Sequence, residues 1–225
     1  MLAARRRSGF LAYRLAIFDM DGTLADSFPW FASVFNEVAE RYRFKRIDAA
    51  EREALRALGS REILRYLGVP AWKLPLIARH FRARKTADLH RVKLFDGVDR
   101  LLRRLSAHSV DGRGGGIATA IVSSDTEANV RRVLGPENAS LIRWYGCSAS
   151  IFGKPAKIRR VLRRSGVAPA DAILIGDEVR DAEAAARTGI AFGAVSWGYA
   201  KPEALAAHAP AKLFATLDEI ADFLA

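Results

Sequence analysis

Four short stretches of the chain are apolar at almost every position. They are residues 14–18 (RLAIF), 117–122 (IATAIV), 172–176 (AILIG) and 191–196 (AFGAVS). Continuous apolar runs of this length are typical of strands covered on both faces, as in a parallel sheet. The pattern therefore predicts four buried strands.

The stretches between these runs have the spacing of amphipathic helices. Apolar residues alternate with arginines on the opposite face in residues 97–108 (GVDRLLRRLSAH) and 157–166 (KIRRVLRRSG). An Ala-rich helix is predicted to end at Gly189, and residues 212–224 are predicted to form a last edge strand and a terminal helix. This alternation predicts an α/β fold, in which helices flank a parallel sheet on both faces.

Residues 28–92 differ, because helical periodicity replaces the strand pattern there. Apolar residues at 31, 34, 35, 38, 39 and 42 form one helical stripe, with Pro29 near its start. Three further helical stretches follow, and Pro75 is expected to kink or break the last of them. We therefore expect an all-helical domain (28–92) inserted into a core domain made of residues 1–27 and 93–225.

Composition supports an ordinary globular protein. Of 225 residues, 50% are hydrophobic and 27% are charged. The single cysteine, Cys147, cannot form an internal disulfide, which fits a reducing cytoplasm. The apolar runs are too short to cross a bilayer. Arg14 interrupts the apolar stretch near the N-terminus, so we expect a short basic tail there, not a signal peptide.

The chain is strongly basic, with a net charge of +11 and a pI of about 10.3. Such a charge can attract polyanions nonspecifically. The lysines and arginines are scattered, however, and often alternate with acidic residues, as in EREALRAL (51–58). We therefore expect neither a specific nucleic-acid partner nor a membrane partner. The sequence does not determine the oligomeric state, and a monomer or a homodimer is expected.

Two acidic residues, Asp19 and Asp21, follow directly after the first predicted strand, ahead of Gly22. Residues two apart in an extended segment point the same way, so both carboxylates can project from the carboxyl end of the sheet, where α/β proteins bind ligands. Mg2+ prefers oxygen ligands and would offset the repulsion between the acids. The alternative is that both acids only cap a turn.

The third strand along the chain repeats this arrangement. Gly176 is followed by Asp177, Glu178 and Asp181 at the start of a predicted helix. Acids suit a helix N-terminus, but three of them exceed what capping requires. Asp177 and Asp181 stand four residues apart and share one helix face, so they could serve the same metal.

Two weaker signals lie between these acidic segments. The second predicted strand ends at Ser123 and Ser124, whose hydroxyls suit phosphate oxygens but could equally cap the next helix. Lys154, expected in a loop beside Gly153, could neutralise a phosphoryl group and an aspartate together. The Gly-rich stretch 111–116 lacks the spacing of a dinucleotide-binding loop and is predicted to be a flexible connection.

In this order the four signals resemble the motifs of the haloacid dehalogenase (HAD) superfamily of phosphohydrolases. Residues 19–27 (DMDGTLADS) resemble its first motif and residues 176–181 (GDEVRD) its fourth, with Ser123 and Lys154 in the second and third. The resemblance implies a HAD-like Rossmannoid sheet with a helical C1-type cap at 28–92. Residues 176–199 are most similar to the phosphoglycolate phosphatase branch.

This resemblance implies a phosphatase that transfers the phosphoryl group in two steps. Asp19 would attack phosphorus and form an aspartyl-phosphate, while Asp21 would protonate the leaving oxygen and then activate water. Ser123 and Lys154 would be catalytic by stabilising phosphoryl oxygens, Ser124 would bind substrate, and Thr23 would hold the loop at the substrate site.

The resemblance also implies the cofactor and the substrate class. Mg2+ would be held by Asp19, the backbone carbonyl of Asp21, and Asp177, with Glu178 and Asp181 holding metal-bound water or the outer shell. Asp21 stands where phosphate-ester hydrolases of the superfamily keep an acid, so a small phosphorylated metabolite, such as phosphoglycolate or a sugar phosphate, is the expected substrate.

Two alternatives remain at this stage. Residues 58–64 (LGSREIL) resemble the substrate-specificity loop of sugar-phosphate mutases, in which Arg61 would contact a second anionic group; otherwise Arg61 is an exposed helical arginine. A non-catalytic protein that binds anions or nucleic acid through its basic surface is the other alternative. It leaves the clustering of the acids unexplained.

Overall fold

A computed structural model describes residues 13–107, 116–147 and 153–224 of the chain. The basic N-terminal tail and most of the Gly-rich stretch 111–116 lie outside these residues. The strands are β1 (Leu15–Phe18), β2 (Ala25–Asp26), β3 (Lys93–Leu94), β4 (Ala118–Ser123), β5 (Trp144–Cys147), β6 (Ala172–Gly176), β7 (Ala191–Val195) and β8 (Lys212–Phe214).

Helices separate most of these strands. They are α1 (Phe28–Tyr42), α2 (Ala49–Leu55), α3 (Ser60–Tyr66), α4 (Leu74–Ala87), α5 (Val98–Ala107), α6 (Glu127–Leu141), α7 (Lys154–Ser165), α8 (Val179–Thr188), α9 (Pro202–Ala206) and α10 (Leu217–Leu224). Gly135 is non-helical within α6, so this element is two helical pieces joined at a kink. Gly189 takes a left-handed conformation just past α8, as its position in the sequence predicted.

The main sheet of the described chain has six parallel strands in the order β5-β4-β1-β6-β7-β8. The predicted α/β class is confirmed. Alternate residues of β1 enter different apolar clusters: Ala16 and Phe18 pack on one face, and Leu15 and Ile17 on the other. All four side chains are fully buried, which explains why this strand is a continuous apolar run.

The topology brings the ends of β1, β4 and β6 together. Strand β1 lies between the other two, with Phe18 in register with Ile121 of β4 and Ile175 of β6. Because the three strands are parallel, the residues that follow them emerge at one edge of the sheet. The strand order also reverses around β1, which is where open α/β sheets bind ligands.

Residues 28–92 contain α1 to α4 and no strand. The two points at which the chain enters and leaves this segment are paired as a short antiparallel ribbon of β2 and β3, with Ala25 opposite Leu94. Phe35, Leu55 and Leu67 belong to an apolar cluster inside the segment. The segment has an apolar cluster of its own, although its division from the core as a separate domain stays a prediction.

The structure differs from the sequence-based expectation at four places. Strand β5 was not predicted, since it is short and contains a glycine, and neither was the β2–β3 ribbon. Lys154 is the first residue of α7 and does not lie in a loop. Pro75 lies in the first turn of α4, where proline is tolerated, so it does not break that helix. No helix in the described ranges is long and apolar enough to span a membrane.

Candidate active site

The segment after β1 turns sharply and places Asp19 at the carboxyl edge of the sheet. The Asp19 amide continues the strand pattern by donating to the Ile175 carbonyl of β6 at 2.9 Å. The chain then folds back, with the Leu24 amide donating to the Met20 carbonyl at 3.0 Å. Gly22 permits this turn because its φ is +81°, a conformation that other residues rarely adopt.

Asp19 is 3% exposed and its carboxylate is incompletely satisfied. The Lys154 ammonium lies 2.7 Å from Asp19 Oδ2 as an ion pair, and no other group in the described part of the chain donates to this oxygen. Burial raises the pKa of Asp19, an effect that the Lys154 charge only partly offsets. A buried carboxylate with spare acceptor capacity is suited to a cation or to an electrophile.

Asp177 follows β6 and is fully buried beside Asp19. Its Oδ1 accepts from Thr23 Oγ1 at 2.7 Å, and its Oδ2 accepts from the Tyr199 amide at 2.8 Å. Burial, followed by the charges of Glu178 and Asp19, raises the pKa of Asp177 well above its usual range. Two hydrogen bonds leave about half of the lone pairs of this carboxylate available.

Glycines allow the backbone to approach Asp177 from two sides. A Cβ at Gly22 would lie 2.1 Å from Asp177 Oδ2, and a Cβ at Gly198 would lie 2.1 Å from Asp177 Cβ. Both distances are far below van der Waals contact. The loop after β1 and the loop after β7 therefore both require glycine in order to hold this carboxylate.

We expect Gly22→Ala to destabilise the protein by more than the strained backbone alone would cost. Gly68 provides a matched control, because its φ is also positive (+66°) but a Cβ there meets nothing within 4 Å. Gly68→Ala should cost about 1 kcal/mol, the usual penalty for a non-glycine residue in this conformation. Urea denaturation should show a larger loss for Gly22→Ala, and equal losses would contradict the close approach.

Asp181 lies in the first turn of α8 and organises the segment around it. Its Oδ2 accepts from the backbone amides of Asp177 and Glu178, each at 3.1 Å, and its Oδ1 pairs with Lys154. Glu178 instead pairs with Arg180, and its side chain is partly exposed. Asp181 therefore positions the loop between β6 and α8, whereas the Glu178 carboxylate faces Arg180.

Lys154 joins the two acidic segments, because its ammonium contacts both Asp19 and Asp181. It is 5% exposed. Burial alone would lower the pKa of Lys154, but the charges of Asp181 and Asp19 outweigh it and raise that pKa above its usual value. The ammonium thus stays charged and neutralises part of a buried acidic cluster.

The three buried aspartates form a group that could hold a metal ion. Asp19, Asp177 and Asp181 each offer an oxygen, and these atoms all lie within 4.8 Å of one another. The arrangement fits a hard divalent cation, because the donors are all carboxylate oxygens and, apart from Lys154, no donor in the described residues contacts Asp19 Oδ2. Burial, followed by the charges of neighbouring acids, raises the pKa of both Asp19 and Asp177, so a cation at this site would favour their ionised forms.

The predicted phosphate-binding serines lie at the end of β4, next to β1. Ser123 is buried, and its Oγ accepts from the Asp125 amide at 3.0 Å, which leaves its own proton free to donate. Its carbonyl accepts from Lys157 Nζ at 2.8 Å. Ser124 is half-buried and lines a cavity at this edge. The contact of either serine with substrate stays a prediction.

Lys157 should make stability depend on pH in the alkaline range. Burial and the nearby Lys154 charge lower the pKa of Lys157 to about 8, whereas it titrates near 10.4 when unfolded. Between these values the unfolded chain binds more protons, so the free energy of unfolding should rise with pH, by up to about 1 kcal/mol per unit. Other groups titrate in both proteins, so the free energy of unfolding of the wild type minus that of Lys157→Met should increase from pH 8 to 10.5, and a constant difference would contradict the lowered pKa of Lys157.

Asp21 points away from the three buried aspartates and toward α4. Its Oδ1 lies 2.5 Å from Lys85 Nζ, and the same ammonium lies 2.9 Å from Asp125 Oδ2. Burial raises the pKa of Asp21, but the charge of Lys85 and hydrogen bonds from Lys85 and Ser27 outweigh it, and the net shift is downward. Sequence analysis missed Lys85 and Asp125, because no local pattern marks a lysine on α4 as a partner of the first motif.

Arg56, which follows α2, ties the helical segment to the core and was also missed. Its Nε donates to the Tyr199 carbonyl at 2.9 Å and its Nη2 donates to the Gly198 carbonyl at 3.0 Å. In return, the Lys201 amide donates to the Arg56 carbonyl at 2.8 Å. These contacts hold α2 over the loop that also binds Asp177. Arg61, by contrast, is exposed on α3 and does not line the cavity, and its contact with substrate stays a prediction.

A family model of haloacid dehalogenase-like hydrolases matches residues 16–195, which is most of the chain. The chain belongs to that family. The predicted family membership is confirmed, and so is the prediction that this haloacid dehalogenase-like hydrolase is an enzyme of the phosphatase class.

Similar proteins of known name support the same placement. A phosphoglycolate phosphatase of Synechococcus elongatus is 30% identical over 205 residues, which cover 91% of this chain and 93% of that protein. The tyrosine-protein kinase PtkA of Mycobacterium tuberculosis is 28% identical over 94% of this chain and 72% of its own length. The crystal structure of a putative phosphoglycolate phosphatase from Lactobacillus plantarum superimposes with a TM-score of 0.77, covering 94% of this chain and 99% of that one at 22% identity.

Proposed function

We propose that the enzyme hydrolyses a small phosphomonoester with the help of Mg2+ and through an aspartyl-phosphate at Asp19. The observation that supports this most is the position of the Asp19 carboxylate. It is buried at the carboxyl edge of the sheet, 2.7 Å from the Lys154 ammonium, and no further donor in the described part of the chain contacts its Oδ2. A carboxylate held in this way can attack phosphorus and become esterified.

Lys154 and Ser123 would receive the charge that develops on the phosphoryl oxygens. Lys154 keeps its proton because of its acidic neighbours, so it supplies a permanent positive charge beside Asp19. Ser123 retains a hydroxyl proton that it can donate. Phosphoryl transfer needs mainly positioning and electrostatic stabilisation, and these two groups supply both.

Asp21 would act as the proton donor to the leaving oxygen and then as the base that activates water. It is partly exposed and lines the cavity into which a substrate could enter. In the structure it is paired with Lys85 at 2.5 Å and its pKa is lowered, so it is ionised. Its acid role requires a proton, and substrate binding would therefore have to separate Asp21 from Lys85.

Mg2+ would be held by Asp19, Asp177 and the backbone carbonyl of Asp21, with Asp181 and Glu178 outside the direct ligands. Asp181 fits the outer position because its oxygens already bind Lys154 and two backbone amides. When bound, the ion would supply positive charge to the phosphoryl oxygens. Thr23 would act indirectly, since its hydroxyl orients Asp177.

The cellular setting follows the same proposal. We expect a cytoplasmic enzyme that acts on a small phosphorylated metabolite as a monomer or a homodimer, without a specific nucleic-acid or membrane partner. The scattered distribution of basic residues supports this part of the proposal.

A phosphate-release panel tests the proposed function. The purified protein would be assayed on 2-phosphoglycolate, sugar phosphates and p-nitrophenyl phosphate, with Mg2+ and with EDTA. We expect turnover with Mg2+ and loss of turnover in EDTA, restored by excess Mg2+. Because one relative is named a tyrosine kinase, a further arm would contain ATP and a tyrosine peptide. Transfer to the peptide without hydrolysis of any ester would contradict the proposal.

A further inference from the structure

A cavity of about 350 Å3 extends from the acidic edge of the sheet into the helical segment 28–92. Asp21, Ser124 and Asp125 line it at the core side, so it is continuous with the proposed site of phosphoryl transfer. Its volume is within the range of small-molecule sites, roughly 300–1,000 Å3. A phosphoryl group alone would leave most of this volume unused.

The wall that the helices contribute is largely apolar. Phe31, Phe35, Leu55, Ile77 and Phe81 line the cavity, from α1, α2 and α4. The Phe31 ring lies 5.2 Å from the Phe81 ring and 5.7 Å from the Tyr199 ring, measured between centroids. These rings form a continuous aromatic surface that leads away from the acids, and aromatic rings at such spacings favour contact with other apolar or aromatic groups.

Several cationic residues that line the cavity are already bound to protein groups. Arg56 binds two backbone carbonyls, Arg180 pairs with Glu178, and Lys85 pairs with Asp21 and Asp125. A leaving group with its own carboxylate would have to pair with Arg52 or compete with protein groups for one of these engaged cations. An uncharged apolar leaving group requires no cationic partner.

We propose that the preferred substrate of this site is a phosphomonoester whose leaving group is apolar, either aromatic or a medium-length aliphatic chain. This inference rests on the proposed function, since it concerns the ester that Asp19 would cleave. The phosphoryl group lies at the acidic edge, and the apolar part lies among the rings of α1 and α4. The rate should rise with chain length because each buried methylene contributes about fourfold in affinity.

The experiment compares kcat/KM for ethyl, butyl and hexyl phosphate, whose leaving oxygens have similar reactivity, with 2-phosphoglycolate. We expect kcat/KM to rise steeply from ethyl to hexyl phosphate, by at least about tenfold in total, and hexyl phosphate to exceed 2-phosphoglycolate. A flat series, or a preference for 2-phosphoglycolate, would overturn the inference and leave the proposed function intact. Failure to cleave any ester would instead count against the proposed function.

Two alanines of α4 provide a matched pair of variants. Ala78 lines the cavity, whereas Ala83 is exposed on the same helix and does not line it. Ala78→Phe should reduce the hexyl-to-ethyl ratio of kcat/KM at least about fivefold, and Ala83→Phe should leave that ratio unchanged. Ala78→Leu fills less volume and serves if Ala78→Phe does not fold, as judged by circular dichroism. Equal ratios in the folded cavity variant and the wild type would refute the proposed location of the leaving group.

Discussion

Asp19→Asn is expected to reduce phosphate release by roughly 10⁴-fold or more, because an amide cannot attack phosphorus and the remaining residues cannot replace the nucleophile. The fold should persist. Burial makes the ionised form of Asp19 costly, as its raised pKa shows, and Lys154 keeps its pair with Asp181 in the variant. The measurement is kcat on p-nitrophenyl phosphate with Mg2+, beside a denaturation curve.

Asp26 supplies the control for this change. It lies a few residues after Asp19, in β2, and is partly exposed. It belongs neither to the group of Asp19, Asp177 and Asp181 nor to the pair of acids, Asp21 and Asp125, that contacts Lys85. Asp26→Asn should therefore keep wild-type turnover. If Asp19→Asn retained more than about a tenth of the activity, another group would have to be the nucleophile.

Lys154→Met is expected to cause the largest loss of stability of any single change at the site. It would leave Asp19 and Asp181 buried without their shared counter-ion, and removing one partner of a buried ion pair typically costs about 3–5 kcal/mol. Activity should also be lost, since Asp19 would lose the ammonium that lies 2.7 Å from its carboxylate. Urea denaturation with and without Mg2+ measures the effect, and Mg2+ should recover part of the stability.

Lys157 provides the matched comparison, because it lies one turn further along α7 and is also buried. Its lowered pKa shows that its charge is not favoured by the surroundings, unlike that of Lys154. Lys157→Met should therefore cost less than Lys154→Met, and its hydrogen bond to the Ser123 carbonyl is itself worth about 1 kcal/mol. Equal losses for both variants would show that Lys154 does not hold the acidic cluster together.

The parts of the fold that sequence could predict are those with a strong local pattern. The runs that form β1, β4, β6 and β7 are apolar at almost every position because both faces of each strand are covered, and this local pattern can be read without knowing which strands are neighbours. Strand β5 lacks a continuous apolar pattern because it contains Gly146. A Cβ at this position would lie only 3.1 Å from the Val122 side chain. Packing against a neighbouring strand explains this glycine, and packing is not visible in sequence.

The residues of the candidate site also divide into those that a local sequence pattern predicted and those whose contacts depend on packing. Asp19 and Asp177 could be placed together because each follows a buried strand, and parallel neighbours end at one edge of the sheet. Lys85 could not be predicted as a partner of Asp21, because 64 residues separate them and the contact depends on how α4 packs over the core. The same holds for Arg56, whose hydrogen bonds reach carbonyls more than 140 residues away.

The aromatic lining of the cavity was also present in the sequence but could not be assigned to a ligand site. Phe31 and Phe35 fall on the helical stripe of α1 that a core-facing helix would have anyway. Only the structure shows that these rings border a space that continues to Asp21. Their periodicity predicts burial and carries no information on whether a neighbouring helix or a ligand covers them.

Chemical trapping of the phosphorylated enzyme tests the central proposal most directly. The protein would be mixed with Mg2+ and excess p-nitrophenyl phosphate, quenched with acid during turnover and reduced with borohydride, which converts an aspartyl-phosphate to homoserine. Peptide mass spectrometry should then find homoserine at position 19 and unmodified aspartate at positions 21, 177 and 181. Homoserine at another of these positions, or rapid phosphate release with Asp19 unmodified throughout, would contradict the proposal.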